Sequence, residues 1–328
     1  MNKIVKATLF ASIAALALSG CVKGNSGTDQ PTGKYPAGFV MYNTCNSWNE
    51  EAYQHSYSQA FNVGLTGANG GAWVGGSETY LNPDQKQSIN DLLKNGAKAI
   101  AISPENVTAE FLNTITIPVI MFDSHVKGFD KEACFVGYDY TEAAEKAAEF
   151  IATRIPQEGK VLVLTINNDP RTVKRADMFK NKMAQIASKV QIVTQEIQTY
   201  HPDDKTNTAK ASIQEALMKD PDIAGIYAND DDLAYFTYQT IDQTPSKEDI
   251  LKNLKAVFGC GGSNKMQDVI KNSKLSGIEF ATIECSPEIG AYLTDEMAQI
   301  LRYGMPSEKN RIFYPGKVID KSNADPKQ

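Results

Sequence analysis

Short apolar runs alternate with longer segments of helical period along nearly the whole of this sequence, and the alternation runs through twice. The first series reads strand Gly38 to Tyr42, helix Glu50 to Asn62, a weaker strand candidate at Gly71 to Gly75 and helix Gln85 to Asn95. It continues with strands Ala97 to Ile102, Ile117 to Phe122 and Ala133 to Gly137. The second begins with helix Thr141 to Thr153 and strand Lys160 to Thr165, then helix Thr172 to Ser188, strand Gln191 to Thr194 and helix Asn207 to Met218. Strand Ile223 to Tyr227, helix Asp231 to Ile241, strand Lys255 to Phe258, helix Asn264 to Asn272 and strand Gly277 to Ile283 complete it, before a last helix, Pro287 to Arg302. Strands that are apolar on both faces and separated by helices form parallel sheets covered on both sides. Two such series predict an α/β fold of two Rossmann-like lobes. In open sheets of this kind ligands sit beyond the carboxyl ends of the strands, so two facing lobes would share one cleft.

The N-terminus carries a different signal. Met1 to Lys6 is basic, Ala7 to Leu18 is an apolar run, and Ser19-Gly20 precede Cys21. That order reads as a secretory signal over residues 1–20, and the run is shorter than the roughly 20 residues that a membrane span requires. Leu18-Ser-Gly-Cys21 resembles a bacterial lipobox, which implies diacylglycerol on Cys21 and stable membrane attachment. Residues 22–36 lack apolar periodicity and read as a flexible tether.

The net charge of −6 and the lack of a basic cluster argue against nucleic acid as a partner. Cys45, Cys134, Cys260 and Cys285 remain after Cys21, an even number that permits disulfides in an exported chain. The three His are scattered and there is no Cys-x-x-Cys, so neither a metal nor any other cofactor is expected. The glycine-rich Gly67 to Gly76 has the spacing of neither a phosphate loop nor a dinucleotide site. There is no Gly-x-Ser-x-Gly elbow for a secreted hydrolase. The chain is therefore not expected to be an enzyme.

Several segments resemble, in order and spacing, the sugar-binding branch of the type I periplasmic binding proteins, which includes the ribose- and galactose-binding proteins. Asn82 to Pro104 resembles that family's second helix and third strand, and Ile117 to Asp123 the next strand with its polar end. Phe135-Val-Gly-Tyr-Asp-Tyr140 resembles the first hinge crossing, and Tyr227-Ala-Asn-Asp-Asp-Asp-Leu-Ala234 the Ala-x-Asn-Asp-x-x-Ala turn. The resemblance implies a three-segment hinge, with crossings near Tyr138, Ser286 and Tyr314. One lobe would comprise residues 37–138 with 287–313, and the other residues 139–286 with 314–328.

It also implies a ligand set. Trp48, beside Asn46, matches a polar and stacking pair, suited to the C–H face of a sugar ring. Asp123 matches a carboxylate able to accept two hydroxyls, with Ser124 and His125 on the same edge. Arg175, with Arg171 and Lys174 as substitutes, matches an arginine that grips sugar oxygens. Asn229 and Asp230 match ligand positions, and Asp231 a helix cap. Two positions depart from the family: its ligand Asp is replaced by Gly261, and the polar residue at the last crossing by Cys285, with Glu284 beside it. Cys260 and Cys285 then fall on neighbouring strand ends, where either a disulfide or two reduced thiols would fit, and Cys45 with Cys134 is a weaker pairing. The implied function is monomeric, lipid-anchored capture of a small sugar-like solute for an ABC permease. The alternative is a ligand sensor signalling to a chemoreceptor or kinase.

Overall fold

The computed structural model describes residues 35–41, 47–67, 84–167, 169–198, 208–245 and 247–326. The signal-like residues 1–20, Cys21, most of the tether, Cys45, Asn46 and the strand candidate Gly71 to Gly75 lie outside them. Among the described residues no helix is long and apolar enough to cross a membrane.

The chain opens with β1 (Tyr35–Val40), α1 (Ser47–Asn62), β2 (Leu65–Gly67), α2 (Gln85–Lys94), β3 (Ala99–Ile102), the short α3 (Ala109–Leu112), β4 (Val119–Phe122) and β5 (Cys134–Tyr138). Then come α4 (Thr141–Ala152), β6 (Lys160–Ile166), α5 (Pro170–Ile186), β7 (Gln191–Ile197), α6 (Thr208–Lys219), β8 (Ile223–Tyr227) and α7 (Asp231–Gln243). It ends with α8 (Lys247–Asn253), β9 (Ala256–Phe258), α9 (Asn264–Asn272), β10 (Glu279–Ile283), α10 (Ile289–Tyr303), β11 (Asn310–Phe313) and β12 (Val318–Ile319).

Two six-stranded sheets result, ordered β11-β5-β4-β3-β1-β2 and β12-β10-β9-β8-β6-β7. Among the described residues every strand pairing is parallel except β10 with β12. The chain passes between the sheets after Tyr138, after Ile283 and after Phe313. In each sheet the strand order reverses beside the first strand of the series, at β1/β3 and at β6/β8. Crevices open at such points, and the loops that follow these strands carry the polar residues described below.

Several elements differ from the sequence reading. β1 starts at Tyr35, inside the residues assigned to the tether, because Tyr35 and Pro36 pair with Leu65 and Thr66 of β2. Pro36 is tolerated there because the ladder with β3 begins only at Ala37. β2 and α3, of three and four residues, are too short to produce a readable period. β7 runs to Ile197, with exposed and half-buried residues over most of its length, as suits the outer strand of its sheet.

The core is continuous from one lobe to the other. Phe39, Phe122 and Met41 of the first sheet belong to the same buried cluster as Tyr138, Tyr140, Ile283, Tyr227 and Phe258. α10 packs on α1, where the Ser56 and Thr294 hydroxyls meet at 2.7 Å. Gly290 permits this approach: a Cβ there would overlap the backbone carbonyl of Ala52. Gly290→Ala must push the helices apart, and overpacking of this kind costs roughly 1–3 kcal/mol. A melting temperature lowered relative to wild type is expected in thermal unfolding; an unchanged one would contradict the α1–α10 packing.

Candidate functional site

The loops at the carboxyl ends of the strands bring polar side chains of both lobes into contact. Gln85, buried at the start of α2, donates to the carbonyls of Met41 and Ser103, both at 2.8 Å, and so ties the ends of β1 and β3 together. From the first residues of α1, Ser47, Trp48 and Asn49 all reach across to the second lobe. The Asp232 carboxylate accepts from Ser47 N and Ser47 Oγ, each at 2.7 Å. A carboxylate of one lobe thus caps the helix of the other, where the N-terminal dipole favours negative charge. Trp48 Nε1 donates to the Cys285 carbonyl at 2.6 Å, while its ring stacks on Phe122 at a centroid distance of 6.1 Å.

Arg171 is the second bridge. Its Nε and Nη2 donate to Asp169, at 3.0 and 3.2 Å, and its Nη1 reaches Asn49 at 3.1 Å and Asp123 at 3.4 Å, both on the other lobe. Asp123 also accepts from the Tyr140 hydroxyl at 2.9 Å and holds a left-handed backbone, φ 58°. Asn229 has the same rare conformation, φ 71°, in the second lobe. Non-glycine residues adopt it at a cost and cluster at functional sites.

Arg175 lies one helical turn beyond Arg171. It is buried, its Nε donates to Asn229 Oδ1 at 2.8 Å, and its guanidinium lies over the Tyr140 ring at 4.6 Å. Among the described residues no carboxylate lies within ion-pair distance of it, although a buried charge ordinarily demands one. Tyr227 ends β8, fully buried, with its ring stacked on Phe179 and its hydroxyl without a hydrogen-bond partner. Burial holds that phenol well above its ordinary range, so it remains a neutral donor.

A cavity of about 330 Å³ lies between the lobes. It is lined by Ser47, Trp48, Glu51 and His55 on one side, and by Asp230, Asp231, Asp232, Cys260 and Gly261 to Asn264 on the other. Gln267, Glu284 and the turn Ser286 to Glu288 close it. Six of these residues are acidic and none is Lys or Arg. Asp231 takes hydrogen bonds from Ser263 N at 2.6 Å and Thr282 Oγ1 at 2.5 Å. A Cβ on Gly261 would sit 3.1 Å from the Asp231 carboxylate, so the side chain missing at 261 leaves space that Asp231 fills. Asp230, and not Asp231 as the resemblance implied, caps α7, through Leu233 N at 2.7 Å, while Asp231 is the first residue of the helix. Burial, together with the neighbouring Asp232 charge, pushes Asp230 up to about 7, and burial pushes Asp231 to about 6. Burial would likewise raise Asp169, but its two Arg neighbours outweigh that and hold it low. At Asp123 burial prevails over Arg171 and Arg175, and its pKa is raised.

Of the residues singled out in the sequence, Trp48, Asp230 and Asp231 line this cavity, whereas Asp123, Arg175 and Asn229 are linked to one another, through Tyr140 and a direct hydrogen bond, in a buried network that is not part of its lining. Ser124 is half-buried beside Asp123. His125 is exposed and engaged within its own lobe, at 3.1 Å from Glu132 and stacked on Phe135. Lys174 is exposed. Cys260 and Cys285 are buried free thiols with sulfurs 3.7 Å apart, beyond the roughly 2.05 Å of a covalent bond. Ser47, Asn49, Asp232 and Tyr227 were not anticipated. Only Tyr227 carried a usable signal, since a tyrosine closing a buried strand needs a partner for its hydroxyl.

The sequence matches the family model described as periplasmic binding protein domain over residues 37–304. No curated protein matches it in sequence. Among solved structures, an ABC transporter solute-binding protein from Mycobacterium smegmatis with bound glycerol is 21% identical, with a TM-score of 0.71 over 89% of this chain and 96% of its own. A carbohydrate transporter solute-binding protein from Agrobacterium radiobacter in complex with D-arabinose is 17% identical, with a TM-score of 0.72 over 89% and 96%. The myo-inositol-binding protein of Caulobacter, with myo-inositol bound, is 17% identical, with a TM-score of 0.70 over 91% and 97%.

Asp230 and Asp231 hold their protons more tightly in the folded chain than at the ordinary carboxylate value of 3.8. Their contribution therefore favours folding fully below about pH 4 and is lost as pH rises through 6 to 7. Asp230→Asn keeps an acceptor for the α7 cap and removes the charge. Thermal melts at about pH 5 and pH 8 are expected to differ less in this variant than in wild type; an unaltered pH profile would contradict the buried acid cluster.

Proposed function

Because the chain belongs to the periplasmic binding protein family, we propose that it captures a small, polyhydroxylated, sugar-like solute between its lobes and delivers it to an ABC permease. The observation that carries this reading is the cavity that both lobes line, with Trp48 on one side and Asp230 and Asp231 on the other. Arg175, bonded to Asn229 and without an ion pair among the described residues, and the orphaned Tyr227 hydroxyl lie in the core next to it. The Tyr227 hydroxyl lacks a hydrogen-bond partner and, among the described residues, the Arg175 guanidinium uses only its Nε, so the hydroxyls of a bound solute would supply partners to both. Trp48, Asp123, Asn229, Asp230 and Asp231 complete the proposed contact set, with Trp48 offering an aromatic face. The similar proteins named above hold glycerol, D-arabinose and myo-inositol, all neutral polyols or sugars.

The acidic cavity wall sharpens the expected selectivity. Six carboxylate residues with no Lys or Arg among them disfavour an anion, so neutral solutes are expected to bind and sugar acids to be rejected. Residues 287–313 packing with 37–138, and 314–328 with 139–286, would make the three crossings the hinge. Closure would follow from contacts that a solute makes only when both walls reach it. In this reading the Leu18 to Cys21 lipobox places the protein on an extracytoplasmic membrane surface, at the end of its tether, as a monomer.

The test is a thermal-shift and calorimetric screen of residues 22–328 against neutral sugars, polyols, sugar acids and nucleosides. A ligand at 100 times its Kd stabilises by about 2.7 kcal/mol. Concentration-dependent stabilisation by neutral sugars or polyols is expected, and sugar acids as the tightest binders would contradict the reading. Tyr227→Phe separates site from scaffold. Loss of a net hydrogen bond of about 1 kcal/mol should weaken binding roughly fivefold. The ligand-free melting temperature should hold or rise, because the deleted hydroxyl has no partner. Unchanged affinity would remove Tyr227 from the site.

A further inference from the structure

Two thiols on the cleft floor are arranged for chemistry that solute capture does not use. Beyond the ends of β9 and β10 the pairing continues through a bridge between Gly261 and Glu284. Gly261 N donates to the Ile283 carbonyl at 2.9 Å, and Cys285 N to the Gly261 carbonyl at 3.1 Å. This clamp holds Cys260 and Cys285 side by side, with sulfurs 3.7 Å apart. A covalent bond requires them to close by less than about 2 Å, within the reach of side-chain rotation. Cys260 lines the cavity between the lobes, which gives a small reagent access. Cys285 is 2% exposed and lies behind it. Hydrogen bonding to Cys260, with burial, keeps the Cys285 thiol protonated and unreactive until its neighbour has reacted. Cys134 serves as an internal comparison: it sits in the other lobe's sheet, with its thiol turned to the Phe135 carbonyl.

The backbone of the same two cysteines holds the proposed ligand contacts. The Cys285 carbonyl accepts from Trp48 Nε1, and the Cys260 carbonyl accepts from Asp231 N at 3.1 Å. We propose that Cys260 and Cys285 are a reversible dithiol–disulfide site, and that its oxidation by an extracytoplasmic disulfide stiffens the floor on which Trp48 and Asp231 are mounted. The setting rests on the family's extracytoplasmic place, where disulfides persist. The exchange is balanced. The Cys260 thiolate attacks a reagent disulfide, forms a mixed disulfide and releases one reagent thiol. Cys285 then attacks the Cys260 sulfur, the new bond forms, and the second reagent thiol leaves. Two protein S–H bonds and one reagent S–S bond become one protein S–S bond and two reagent S–H bonds.

The experiment treats the purified, reduced protein with oxidised glutathione, then alkylates it in denaturant and maps its peptides by mass. The expected product is a cross-link between the Cys260 and Cys285 peptides, with Cys134 still alkylated and the melting temperature raised until dithiothreitol reverses it. Cys285→Ser should stop at a glutathione adduct on Cys260. Complete alkylation of both cysteines after oxidation, or a cross-link to Cys45 or Cys134 instead, would overturn the proposal. The mapping needs no solute, so its failure is separate from any failure to bind sugars.

Discussion

Arg171 is the contact on which the joining of the two lobes depends. Its side chain is 6% exposed, and it holds Asp169 of its own lobe together with Asn49 and Asp123 of the other. Removing such charges from water is expensive, and only a fully bonded fork recovers the cost. Taking away one member of a buried set leaves an uncompensated charge, a loss of about 3–5 kcal/mol. The Asp232 cap on α1 works in the same direction from the far side of the cleft. Between these two bridges, the first turn of α1 is fixed against the second lobe.

That constraint explains why the strained residues lie where they do. Asp123 and Asn229 adopt left-handed backbones, one in each lobe, and each is held by several partners. Asp123 is turned toward Tyr138 N, the Tyr140 hydroxyl and Arg171. Asn229 is turned toward Arg175 and the Thr172 carbonyl. The strain is sustained because relieving it would break these buried bonds. The Tyr227 hydroxyl, at the end of β8, is left without a hydrogen-bond partner.

The fold was legible because fully buried parallel strands such as Ala99–Ile102 and Ile223–Tyr227 appear as unbroken apolar runs between amphipathic helices. β2 escaped notice, since three residues carry no period and gain their order only from neighbours. At the site, strand ends were readable but partners were not. Arg171 and Arg175 lie one turn apart on α5, so pattern alone could not say which one bridges the lobes and which bonds only within its own lobe's side of the network, to Asn229. Asp232 and Ser47, 185 residues apart, meet only once both lobes have folded. The acidity of the cavity was hidden for the same reason, because Glu51, Asp232 and Glu284 come from separate segments.

The most direct measurement is small-angle X-ray scattering on the protein without added solute, comparing wild type with Arg171→Gln. The bridging role of Arg171 predicts a larger radius of gyration for the variant, with a far-UV circular dichroism spectrum unchanged from wild type, as the lobes swing apart about intact sheets. Superimposable scattering curves from two equally folded proteins would contradict it.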